Sequence, residues 1–105
     1  MAHSSAIQQQ RSGKVFVDGS ISGIVNPQAT VTVNLYRDGV GGTLLASNQI
    51  TPGGAGGNSE FFCDLTWLDT LPDASPHHYT IQALGAGGSN LTIPIGGADF
   101  QAFEL

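Results

Sequence analysis

Any chemistry in this chain has to come from three histidines, one cysteine and eight carboxylates. His77-His78 is the most visible metal candidate. Neighbouring residues of a strand point to opposite faces, so the two rings do not share one ion. Cys63 is the only thiol that could complete a zinc site. The histidine pair therefore reads as a turn leading into a strand. Cys63 alternates with Phe61, Leu65 and Trp67, the pattern of a small buried hydrophobe. No spacing links it to a histidine that would activate it as a nucleophile. His3 stands third in Met1-Ala2-His3, where backbone nitrogens can chelate copper, but alanine at position 2 normally lets the methionine be removed. Asp38, Asp69 and Asp73 are too scattered for a D-x-D-x-D-G calcium loop, which leaves open only a structural ion on a symmetry axis. Twelve of the fifteen glycines fall in four clusters, Gly39 to Gly42, Gly53 to Gly57, Gly85 to Gly88 and Gly96-Gly97. A phosphate loop needs a helix after it, and apolar strand-like runs follow here, so these are turn glycines. No catalytic constellation emerges. The expectation is a protein without enzymatic activity or cofactor.

The composition narrows the class. A length of 105 residues fits one domain. One cysteine makes no internal disulfide, which excludes a disulfide-stapled module. Three bases, Arg11, Lys14 and Arg37, against eight acids make an unsuitable partner for a nucleic-acid backbone. No apolar run reaches the roughly 18 residues of a membrane helix. Met1 to Ser5 lacks the apolar core of a signal peptide, so the expected place of synthesis is the cytoplasm. The charge is also uneven. Residues 1–37 carry three bases and one acid, whereas residues 38–105 carry seven acids and no base.

Residues 1–13 show neither strand nor helix periodicity and read as an extended arm that orders only against a partner or a neighbouring copy. From Lys14 the chain is short apolar runs cut by turn residues. Lys14 to Val17 closes at Asp18-Gly19, and Ile21 to Val25 ends at Asn26-Pro27. In Ala29 to Tyr36, the clearest strand, Val31, Val33 and Leu35 share one face. Arg37-Asp38-Gly39 is a turn, and Thr43 to Ile50 a further run. Pro52 to Asn58 is a loop, followed by Ser59 to Leu68. His78 to Leu84 places Tyr79, Ile81 and Ala83 inward, and Leu91, Ile93 and Ile95 alternate next. Phe100 to Leu105 closes the chain as a strand. About eight short strands with glycine-rich turns and no helix predict an all-β antiparallel sandwich over residues 14–105, jelly-roll-like or Greek-key. Phe100 and Phe103, three apart, cannot share a face of a regular strand. That implies a bulge, or a strand covered on both faces at a subunit interface formed by Phe100, Phe103 and Leu105.

Four segments, in order, carry a resemblance. They are Val31 to Gly39 with its Arg-Asp-Gly turn, Leu65 to Thr70, His78-Tyr79-Thr80-Ile81-Gln82-Ala83, and Ala98 to Leu105. Together they resemble the small jelly-roll modules at the ends of phage fibres and spikes, akin in plan to C1q/TNF-like trimerising domains. No long stalk precedes the domain, so the likeness is nearer to a capsid decoration or cement protein. The resemblance implies a homotrimeric virion structural protein on a shell surface, with the chain itself and a major capsid protein as partners. Gln8, Gln9, Gln10 and Arg11 are then the candidate arm contacts. The alternatives are a fibre or spike tip, or a carbohydrate-binding sandwich meeting a host glycan through Tyr36, Trp67 and Tyr79. A surface-layer or spore-coat protein with the same trimeric head is a third.

Overall fold

The computed structural model describes residues 2–8, 13–53 and 58–105. Among them the chain is all-β: two antiparallel sheets form a sandwich, with no helix. The elements are β1 (Ala2–Gln8), β2 (Lys14–Asn26), β3 (Val31–Arg37), β4 (Thr43–Ile50), β5 (Ser59–Thr70), β6 (Pro76–Gly85), β7 (Asn90–Thr92) and β8 (Ala98–Glu104). One sheet has the order β1-β6-β3-β4. In the other, β2 pairs with β5 on one side, and β7 and β8 share its opposite edge in succession.

Period-2 alternation explains the core. On β2 the inward set is Val15, Val17, Ile21 and Val25, all fully buried. Phe61, Cys63 and Leu65 of the neighbouring β5 extend this layer, and Val31, Val33 and Leu35 of β3 with Tyr79, Ile81 and Ala83 of β6 meet it across the gap. The expected break at Asp18-Gly19 is not there: β2 runs unbroken for 13 residues. Gly19 and Gly23 are in phase with the inward valines, and each sits where a side chain has no room. A Cβ on Gly19 would meet Ile81 Cδ1 and Phe100 Cε2 at 3.3 Å, and one on Gly23 would collide with the Thr92 carbonyl oxygen. These two glycines mark close approach and not turns. The turn after β3 is a true one, with Asp38 at φ 65° and Gly39 at φ 92°. Asn26-Pro27, a cis peptide, ends β2 as expected.

The leading segment is extended, but its first part has a partner within the same chain. Ala2 to Gln8 pairs antiparallel with β6, from Ala2 opposite Gln82 to Gln8 opposite Pro76. The segment has no side-chain period because main-chain bonds, which are indifferent to sequence, form the ladder. The expected alternation of Leu91, Ile93 and Ile95 shrinks to the three residues of β7. The chain then turns at Pro94 to Gly97, where the Gly97 N–H donates to the Pro94 carbonyl at 2.8 Å, and Ile95 is left fully exposed.

Candidate functional site

The polar groups collect at one end of the sandwich, where β3 and β5 finish and β6 begins. Arg37, the last residue of β3, donates from Nη1 to Asp69 Oδ1 at 2.6 Å and from Nη2 to Thr43 Oγ1 at 3.4 Å. Asp69 is in phase with the inward residues of β5 and is 3% exposed. Its other oxygen accepts from the Tyr79 hydroxyl at 2.8 Å. A buried carboxylate is thus held by a guanidinium on one oxygen and a phenol on the other, so its charge is compensated. Burial first, and then the hydrogen bond to Asp69, push the Tyr79 hydroxyl far above its ordinary 10, so it stays a donor.

Beside this pair lies His77, 5% exposed. Its Nδ1 is 3.0 Å from Asp38 in the β3–β4 turn, and its Nε2 is 2.9 Å from Asp73 in the β5–β6 connection. Burial alone lowers its pKa, but the hydrogen bonds to Asp38 and Asp73 outweigh that and raise it above 6.5. Ser75 Oγ lies 3.5 Å from Nε2, which completes an Asp–His–Ser alignment in outline. The alignment does not make a nucleophile. In its protonated form the ring donates to a carboxylate from each nitrogen and keeps no lone pair to take the serine proton. Ser75 Oγ itself donates to Asp73 Oδ1. His77 therefore acts as a clasp between two loops, one that is strongest when the ring is protonated. The Asp38 N–H also donates to the His78 carbonyl at 2.7 Å, which holds the left-handed turn against β6.

The second feature is the outward face of the β5-β2-β8 layer. Register places Leu68, Phe16 and Phe103 side by side across β5, β2 and β8. The rings of Phe16 and Phe103 stack at 5.6 Å with 9° between planes. Leu68 and Phe103 are about half exposed, and Leu105 continues the row at 61%. Further along the face come Asp18, then Asp64 and Asp99, both opposite Ser20. The Asp18 carboxyl is pushed up by its hydrogen bond to Asp64, then by burial and by the charges of Asp64 and Asp99. One of its oxygens, Oδ1, is buried with no partner. Among the described residues no group of three or more His, Cys, Asp or Glu is placed to hold a metal ion.

The sequence-derived candidates separate on this framework. Phe103 and Leu105 belong to the outward row, whereas Phe100 is half-buried on the inner face of β8. The three-residue spacing thus resolves as opposite faces of a regular strand. Of the three aromatics considered for a ligand, Tyr79 is fully buried and presents nothing outward, because its hydroxyl is spent on Asp69. Tyr36 is half-buried, and Trp67 is 44% exposed. Gln8 lies opposite Pro76 at the end of β1, while Gln9, Gln10 and Arg11 lie outside the described residues. Burial pushes the Cys63 thiol up, so it remains a thiol. Sequence reasoning set His77 aside with His78, although a signal was present: His77 is two residues from Tyr79 and so in phase with Tyr79, Ile81 and Ala83.

Compared with protein-family models, curated proteins and solved structures, the chain has no match in any of the three.

Proposed function

We propose that this chain is a non-enzymatic structural module that works by self-association, as a homotrimeric capsid-decoration head would on a phage shell. The row Leu68, Phe16, Phe103 and Leu105 carries the reading. It is a run of large apolar side chains on the outside of a small sandwich, ending on the last strand. A single copy leaves this row in water, and a second copy removes it from water. The charge content of 10% agrees with a surface partly given over to contacts. The jelly-roll plan, the trimeric count, the major capsid protein as partner and the virion surface as location come from the resemblance of the four segments. They form part of the proposal.

Light scattering on the wild-type chain and on Phe103→Ser tests it. The wild type is expected to be a multimer at micromolar concentration, and the variant, folded by circular dichroism, a monomer. A monomeric wild type overturns the reading. Stoichiometric co-purification with particles tests the shell location separately. A second reading, sugar binding, has the half-exposed indole of Trp67 in its favour. A glycan array without hits disposes of it.

A further inference from the structure

Strand β1 stands apart from the other strands of its sheet in how it is specified. Its two alternating sets of residues read Ala2, Ser4, Ala6, Gln8 and His3, Ser5, Ile7. Neither set is apolar, so no side-chain pattern binds the strand to one register or to one copy. Two-sided polar strands are the ones that re-pair and swap. The edge it covers is strongly specified. On β6, Tyr79, Ile81 and Ala83 are buried, and the residues after β6 leave this sheet for the edge of β2. The β6 edge therefore needs a strand, and the chain supplies a generic one from its leading segment. Four residues separate Gln8 from Gly13, whose carbonyl accepts from the Leu71 N–H at 2.7 Å and fixes the start of β2 in the other sheet.

We propose that β1 is an exchangeable strand: the β6 edge of one copy accepts Ala2–Gln8 from a second copy of this chain. The proposal rests on the self-association reading and adds how the copies are linked. Exchange re-forms every β1–β6 main-chain pair, so the ladder itself is not lost. Concentration and the short connector then set the balance. Charge favours the encounter. Residues 1–17 carry Arg11 and Lys14 with no acid, whereas residues 18–105 carry all eight carboxylates and Arg37 alone. The leading end of one copy is thus attracted to the body of another.

Disulfide trapping between full-length chains tests this. Ala6 and His78 are directly opposite in the ladder, at a separation a disulfide can span. One chain carries Ala6→Cys and a second, with a mass tag, carries His78→Cys, both with Cys63→Ala. The folded chains are mixed, concentrated and mildly oxidised. The expected result is a tagged–untagged disulfide dimer whose yield rises with concentration. A control pair, Ala6→Cys with Thr66→Cys on the outer face of β5, is expected to give none. Equal yields from the two pairs overturn the proposal. So does a double variant, Ala6→Cys/His78→Cys, that closes neither within a chain nor between chains. Multimeric wild type without exchange would sink the strand proposal alone, whereas a monomeric wild type would sink the self-association reading as well.

Discussion

Replacing Tyr79 by phenylalanine removes one oxygen atom from the best-defined polar contact of the fold. The ring stays, so the fully buried site keeps its packing. What changes is Asp69, 3% exposed, whose Oδ2 loses the hydroxyl at 2.8 Å while Oδ1 keeps Arg37 at 2.6 Å. A hydrogen bond to a charged group contributes about 1.5–3 kcal/mol, and a buried acceptor left bare forfeits its desolvation cost. The surviving guanidinium compensates part of the charge, which sets the expected loss at about 2 kcal/mol. For a domain of this size that corresponds to a fall of roughly 10 °C in Tm. Urea unfolding at neutral pH is the assay. The midpoint should fall with m unchanged, because the same surface is exposed. A loss below about 0.5 kcal/mol, the range of an ordinary surface change, would refute the reasoning. It would mean that water reaches Asp69 and that the phenol is not its partner.

Three further outcomes are expected. Because the folded pKa of His77 is raised, its stabilising contribution is complete below 6.5 and is lost as pH rises through the raised value. The urea-midpoint difference between wild type and His77→Gln should therefore shrink on going alkaline, and a difference that grows would contradict the clasp. Asp18→Asn should stabilise the chain at neutral pH by relieving repulsion with Asp64 and Asp99. The gain should vanish as acid protonates the wild-type carboxyl, which parallel thermal melts at neutral and acid pH would show. Gly23→Ala should cost about 1–3 kcal/mol by forcing β7 off β2. Amide exchange at Asn90 to Thr92 should then quicken, and unchanged protection would count against the close approach.

Much of the architecture was legible because alternation is a physical signal. Val31, Val33 and Leu35 point inward for the reason that makes them recognisable, burial of every second side chain. The run Phe61, Cys63, Leu65 and Trp67 was right for its first three members. Trp67 keeps the phase but is 44% exposed between buried Leu65 and Asp69, so phase alone does not say how completely each inward side chain is covered. Gly19 defeated the reading of β2 because a glycine that turns the chain and a glycine that admits a neighbouring side chain look alike in one dimension. The clasp was hidden for another reason. Asp38, Asp73 and His77 belong to a turn, a connection and a strand, and only the pairing of β3 with β6 brings Asp38 to the other two. The apolar row was less visible still. Leu68, Phe16 and Phe103 are neighbours only because β2 takes β5 and β8 on its two sides.

The placement of the first and last strands bears on how the molecule transmits force. Ala2 lies opposite Gln82 on β6, and Glu104 lies opposite Val15 at the other end of the sandwich. Tension applied between these two residues runs along β1 and along β8. Antiparallel ladder bonds lie perpendicular to their strands, so this pull loads them sideways and together, unlike a hairpin unzipped from its open end. The two strands are also in different sheets, each anchored to a long partner. A chain tethered by one end and pulled by the other should therefore resist until a whole ladder gives way at once. That is a mechanical property of the topology, and it holds whichever copy supplies β1.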